Sequence, residues 1–208
     1  MARRFVRGMI LMNDKAIEAR NLMNVIATDI PDLLIVEPKI HGDARGFFLE
    51  TWQQQRYAEH GIDENFVQDN LAYSKHGVLR GLHLQYPYPQ GKLVQVIQGA
   101  VFDVAVDVRR GSPWFGRWVG CWLSAENKRQ FWVPKGFAHG YLVVGEDALF
   151  NYKCSDCYHP ETQFSVRWDD PDLAIDWPLP AAPTLSPADA AAPRLAEIDP
   201  ERLPRYGA

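Results

Sequence analysis

From residue 25 onward the apolar residues come in short bursts, parted by clusters rich in glycine, proline, aspartate, asparagine and serine. Within the bursts apolar and polar positions tend to alternate, the period of a pleated strand rather than a helix. Residues 33–38 read as a strand closed by Pro38, residues 47–52 as a second, and residues 66–70 as a short extended piece with a polar end. Between the first two, residues 41–46 with Gly42 and Gly46 read as a turn-rich loop. Strands follow at 78–85, 93–97, 100–108, 118–123, 130–133, 141–144 and 148–153, with Gln98-Gly99 as the turn between the second and third of these. Two stretches read as helical. One is 53–60, stopped by Gly61. The other starts at Ser186, a serine N-cap followed by Pro187 at the first position and Asp189 at the third, with alanines behind. Residues 178–183 are too rich in proline for a central strand. Many short strands at a spacing of about 8–12 residues predict an all-β sandwich or barrel with a few short helices.

Two strands carry polar residues that need explaining. In 100–108, Val104, Val106 and Val108 share one face and Asp103, Ala105 and Asp107 the other. In 78–85, strict alternation groups Arg80, Leu82 and Leu84 on one face and Leu79, Gly81, His83 and Gln85 on the other. His83, between small Gly81 and polar Gln85, then has room for a ligand. A half-buried histidine satisfied by a backbone partner has the same signature.

Composition narrows the classes. The chain has 208 residues, is 47% hydrophobic and carries a net charge of -4, enough for one sizeable core. No basic stripe interleaved with aromatics points to nucleic acid, and no apolar run approaches a membrane span. Cys121, Cys154 and Cys157 make an odd count, and the CxxC formed by the last two lacks the second pair a structural zinc would need. Reduced thiols in a cytoplasmic protein are the expectation. Residues 1–22 start basic, pass a short apolar patch and turn charged, which reads as a disordered extension. A domain over 23–180 and a Pro/Ala-rich segment over 181–208, whose short helix bears Asp189, complete the expected organisation.

Pro134-x-Gly136-x-x-His139-Gly140 has the spacing of the second motif of cupin jelly rolls. Where a cupin metal site would have its first set of ligands, this chain offers His83-Leu84-Gln85 and Lys92. A charged lysine has no lone pair to give, so a cupin-type jelly roll without metal is expected.

The runs Gly46-Phe47-Phe48, Phe66-Val67-Gln68-Asp69-Asn70, Gly77-Val78-Leu79-Arg80-Gly81-Leu82-His83, Gln90-Gly91-Lys92-Leu93-Val94, Leu123-Ser124-Ala125-Glu126-Asn127 and Trp168-Asp169-Asp170-Pro171 together resemble the dTDP-4-dehydrorhamnose 3,5-epimerase family. The resemblance implies a homodimer without cofactor that inverts carbons 3 and 5 of dTDP-4-dehydro-6-deoxy-D-glucose in dTDP-L-rhamnose biosynthesis. It implies His83 as the base, Asp189 as its carboxylate partner, Tyr152 as the proton donor and Lys92 beside the ketone oxygen. An imidazole titrates close to working pH and a phenol holds its proton there, which suits those roles. Arg45, Glu50, Gln68, Asp69, Asn70, Arg80, His139 and Gln163 match substrate-contacting positions, some of them serving a partner's site. The chain departs from the family pattern at Ala188, where a lysine is usual, and at Gln163, where a glutamate is usual. The competing readings are a single-carbon epimerase, a metal-dependent cupin oxygenase and a non-catalytic binder of nucleotide sugars.

Overall fold

The computed structural model describes residues 23–207. Residues 1–22, and with them the expected disordered extension, lie outside the described residues, as does Ala208. In chain order the strands are β1 (Met23–Ala27), β2 (Leu34–Pro38), β3 (His41–Asp43), β4 (Gly46–Phe48), β5 (Gln68–Lys75), β6 (Leu79–Gln85), β7 (Lys92–Asp107), β8 (Trp118–Ser124), β9 (Gln130–Val133), β10 (Phe137–Cys154) and β11 (Gln163–Ser165). Helix α1 (Gln54–Ala58) precedes β5, and α2 (Pro187–Ala190) follows β11.

Two long strands organise the rest. β7 and β10 pair antiparallel from end to end, and each passes through both layers of a sandwich. Residues 92–95 of β7 pair with β9 and residues 100–106 with β8. The start of β10 pairs with β6 and its end with β5. One layer is therefore β1-β2-β9-β7-β10-β5 and the other β8-β7-β10-β6-β11, a cupin-like jelly roll. The sequence suggested two strands in place of each long one. Gln98-Gly99 is not a reversal but lies within β7 opposite a bulge, where β10 carries extra residues between Val143 and Ala148. Gly99 has φ +76°, and a Cβ there would stand 1.8 Å from the Asp147 carbonyl oxygen. A left-handed glycine serves a bulge as well as a turn, so the local signal could not separate them.

Three apolar clusters follow from this layout. Val94, Val96, Phe131 and Phe150 of one layer meet Val101, Ala105, Cys121 and Phe137 of the other inside the sandwich. Leu82, Val104, Val106 and Leu142 lie on the outer face of the second layer, under Leu173, Trp177, Leu195 and Ile198 of the carboxy-terminal segment. Leu93 and Trp132 are covered on the first layer by Tyr57 and Ile62, from α1 and the loop after it. Burying one such side chain contributes about 1.5–3 kcal/mol. The valine alternation of β7 holds, but both of its faces are buried, and Asp103 and Asp107 with them.

The helices are short for local reasons. In α1, Gln53 Oε1 accepts from Arg56 N at 2.6 Å, and Gly61 at φ +86° turns the chain away. In α2, Ser186 Oγ accepts from Asp189 N at 3.1 Å, the predicted cap. The alanines do not extend α2, since Pro193 disfavours helix in the residue before it and the chain turns to lay Leu195 and Ile198 on the sheet. Residues 41–48, expected as a loop running into a strand, form the β3–β4 hairpin instead.

Candidate active site

The stretch Leu79–Gln85 does not alternate as its sequence suggests. Its partner β10 matches His83 with His139 and Arg80 with Tyr141, so three steps on β6 oppose two on β10. The extra residue is a β-bulge. Gly81 takes φ +131° within it, packed so tightly that a Cβ would lie 2.5 Å from the Gly140 Cα. The bulge corrects the predicted grouping. Leu79, Leu82 and Leu84 join the cluster under the carboxy-terminal segment, and Arg80 turns to the same cavity as His83.

That cavity, about 140 Å³, lies at the mouth of the sandwich. One wall comes from β6 and the start of β10, with Arg80, His83 and His139. The opposite wall carries two cross-strand rows: Gln68, Cys154 and Lys92 in one, Asn70, Tyr152 and Val94 in the next. Alternation along β10 turns Phe150, Tyr152 and Cys154 inward, which brings Lys92 and Tyr152 across from His83. An adjoining cavity of about 330 Å³ shares Arg80 and His83 and adds Gln163, Ser186, Ala188 and Asp189. A cavity of about 680 Å³ lies between β10 and the proline-rich segment, with His76 the one titratable group in its lining.

His83 Nε2 lies 2.5 Å from Asp189 Oδ1. An ionised carboxylate only accepts, so Nε2 carries the proton and Nδ1 keeps its lone pair free. The Asp189 side chain is 3% exposed. Burial pushes its carboxyl up, but hydrogen bonds from His83, Ser186 and the Gly81 backbone outweigh burial and hold it below the ordinary aspartate value. Tyr152 responds to the opposite balance: burial, with Cys154 and Tyr141 nearby, pushes its phenol up to about 12, against a weaker pull from Arg80. It stays protonated over the whole neutral range. Its hydroxyl has no hydrogen-bond partner among the described residues.

Lys92 is half-buried and has no hydrogen-bond acceptor among the described residues. Burial lowers the ammonium pKa against the opposing pull of Cys154 and Asp103. Asp103 is fully buried and accepts from His139 Nε2 at 2.8 and 3.0 Å. Burial pushes its carboxyl up, while His139 and Lys92 draw it down. An unpaired ammonium in such a place costs stability. A depressed lysine pKa makes that penalty full below the folded pKa and absent above the ordinary value near 10.4. Lys92→Met is therefore expected to raise the melting temperature at pH 7 while activity falls at least tenfold; thermal unfolding beside a turnover assay checks both signs.

The other candidates divide. Arg80 donates through Nε to Ser74 Oγ at 2.9 Å and through Nη2 to Tyr73 O at 3.3 Å, which fixes its fork at the cavity edge. Asn70 faces inward beside Tyr152, its Nδ2 3.5 Å from Cys154 Sγ. Gln68 accepts from Tyr158 N and donates to Asn70. Asp69 alternates outward and pairs with Lys153 at 2.9 Å. Glu50 pairs with Arg56 outside the cavity. Arg45 stands on the β3–β4 hairpin, 90% exposed and paired with Asp43, away from the cavity of its own chain. The sequence reading gave no role to Asp103, Ser74 or Tyr141. For Asp103 the signal was present: a carboxylate in an apolar alternating run must find a buried partner. The three cysteines are free, and no three His, Cys, Asp or Glu side chains gather as a metal site among the described residues.

A jelly roll whose mouth sets a carboxylate-backed imidazole against a phenol and an ammonium is built as a proton-transferring isomerase. Residues 27–197 match the model of the dTDP-4-dehydrorhamnose 3,5-epimerase family, and the chain belongs to that family. It is similar to a dTDP-6-deoxy-D-glucose-3,5-epimerase of Legionella pneumophila solved in complex with dTDP-4-keto-L-rhamnose, at 61% identity and a TM-score of 0.88 over 89% of this chain and 100% of that one. The dTDP-4-dehydrorhamnose 3,5-epimerase of Salmonella typhimurium is 54% identical over 84% of this chain and 96% of its own length. That of Neisseria gonorrhoeae is 49% identical over 87% of this chain, which spans 55% of that longer relative. No helix among the described residues is long and apolar enough to cross a membrane.

Proposed function

We propose that this chain inverts carbons 3 and 5 of dTDP-4-dehydro-6-deoxy-D-glucose to give dTDP-4-dehydro-L-rhamnose, the epimerisation of dTDP-L-rhamnose synthesis. One observation carries the reading: His83, backed by buried Asp189, stands on one wall of a cavity whose other wall holds Tyr152 and Lys92. Carbons 3 and 5 both flank the ketone at carbon 4. Breaking a C–H bond at either leaves its electron pair in an enolate. His83 Nδ1 takes the proton, and Asp189 stabilises the imidazolium. The Lys92 ammonium faces the charge growing on the ketone oxygen, where a poorly hydrated cation acts strongly. Tyr152 returns a proton to the opposite face of the same carbon, which inverts it. The Arg80 guanidinium suits a diphosphate. No step calls on a redox cofactor or a metal.

The reading extends to a homodimer working in the cytoplasm. Phe47 and Phe48 on the β3–β4 hairpin are 61% and 70% exposed, beside an Arg45 that does not line the His83 cavity of its own chain. Val67, Leu71 and Tyr73 form a second exposed apolar row near β5. A partner's site and a partner's sheet would cover both. Light scattering giving the mass of one chain would rule the dimer out. Three free thiols and a nucleotide-sugar substrate support the compartment.

The test is incubation with dTDP-4-dehydro-6-deoxy-D-glucose in heavy water, followed by NMR. Deuterium is expected at both carbons with inverted configuration. Tyr152→Phe is expected to keep deuterium entry and lose inversion at least tenfold more than exchange. Deuterium at one carbon alone would make this a single-carbon epimerase, and none at either would end the catalytic reading.

A further inference from the structure

We propose that Gln85 is a positioning residue that fixes the base and the ammonium relative to one another by clamping the two loops at the cavity mouth. The inference rests on the epimerase reading above. Gln85 is two residues beyond His83 on β6 and is 4% exposed. Its Nε2 donates to Tyr88 O at 2.6 Å and to Cys157 O at 2.9 Å, and its Oε1 accepts from His159 N at 3.1 Å. All three bonds go to backbone, in loops 86–91 and 155–159. The first loop runs into Lys92 at the start of β7. The second leaves Cys154 at the end of β10, two residues after Tyr152.

The loops are also tied to each other. Gly91 N donates to Ser155 Oγ at 2.8 Å, Ser155 N donates to Gly91 O at 2.9 Å, and Gln90 Nε2 donates to Asp156 O at 2.8 Å. The Tyr88 ring stacks on His159 at 4.6 Å. Gln85 is the member of this set that lies on the strand of the base. It joins His83 to the segments that place Lys92 and Tyr152 across the cavity. The side chain must donate twice and accept once in a dry setting, which an amide does and a carboxylate, with acceptors only, does not. Loss of the clamp leaves two carbonyls and an N–H without partners and lets the opposite wall drift. A displacement near 1 Å between reacting groups costs about a hundredfold in rate.

The experiment compares wild type with Gln85→Met, which keeps length without hydrogen bonds, Gln85→Glu, which keeps shape, and Ser155→Ala, a milder cut in the same clamp. Turnover is followed by deuterium entry in heavy water, dTDP affinity by titration calorimetry and folding by thermal unfolding. Gln85→Met is expected to lose roughly tenfold to a hundredfold in turnover while dTDP affinity stays within about twofold. Gln85→Glu is expected to be slower still at pH 8 and to recover part of its rate relative to wild type toward pH 5.5, where a protonated carboxyl regains one donor. Ser155→Ala is expected to lose a few-fold in turnover only. Wild-type turnover in the Gln85 variants, or a turnover loss matched by an equal loss of dTDP affinity, would overturn the inference. A Gln85→Met that does not fold, beside a Ser155→Ala with full turnover, would do the same. If wild type itself exchanges no carbon-bound hydrogen, the epimerase reading fails instead.

Discussion

His83→Ala is expected to lower deuterium entry at carbons 3 and 5 of the substrate by about a thousandfold, within the range that a positioned general base supplies. The imidazole has a carboxylate behind it and, with its side chain 29% exposed, stands open on its wall of the cavity. Arg80 and His139 line the same wall, but a guanidinium has no lone pair to offer, and the His139 side chain, held against buried Asp103, is only 7% exposed. Alanine leaves Arg80 and the opposite wall in place, so dTDP binding stays close to wild type. It also removes a hydrogen bond from Asp189, which holds stability through its depressed pKa. That contribution is present above the unfolded aspartate value near 3.9 and disappears as pH falls below it through the folded pKa. Wild type should therefore be the more stable protein at pH 7, and the gap should close in strong acid. Denaturant melts at the two pH values, beside the NMR assay, test both statements. A variant that keeps a tenth of wild-type exchange would remove His83 from the chemistry.

Gly81→Ala is expected to lower the melting temperature by about 6–12 °C and turnover by about a hundredfold together. The added methyl would sit 2.5 Å from the Gly140 Cα and 2.9 Å from the His139 carbonyl oxygen, both backbone atoms that cannot swing aside. It must also hold φ +131°, a region that side chains avoid. Strain and overpacking together cost about 3 kcal/mol, and each kcal/mol moves the midpoint of a domain this size by about 2–4 °C. The rate falls because the bulge is what turns Arg80 and His83 to one cavity. Gly77→Ala is the control. Its φ is +73° with no atom within 4 Å of the new methyl, so it carries the backbone strain alone, and activity should survive. Equal effects in the two variants would show that the contact with Gly140 does not matter.

The difference between those glycines also explains what the sequence could and could not tell. β8 was legible because alternation and burial agree where buried Cys121 and Leu123 flank exposed Trp122, and β9 because a short apolar run follows a polar stretch and ends at Pro134. The α2 cap was legible because its three residue types act through local hydrogen bonds. Bulges were not: the extra residue on β6 and the extra residues on β10 opposite Gly99 leave composition and spacing unchanged, yet they regroup side chains and fuse strands. Recognition of family motifs named His83, Asp189, Tyr152 and Lys92, which the fold gathers from β6, α2, β10 and β7. Alternation would have set Arg80 on the wrong face. Arg45, Glu50 and Asp69 match by motif but lie away from the cavity of their own chain, and single-chain periodicity has no bearing on what a second copy contributes.

β10 passes through both layers and supplies His139 to one wall of the cavity and Tyr152 to the other. The two jaws thus share one spine, bonded along its length to β7. Layers of an ordinary sandwich are held by side chains and can slide by small shears, but here both layers contain the same two paired strands, so sliding would have to deform the junction at residues 144–147, where the ladder is interrupted. The gape of this site then depends on the irregular stretch of β10 at residues 144–147, and the loops at the rim are left as the parts free to admit a sugar nucleotide.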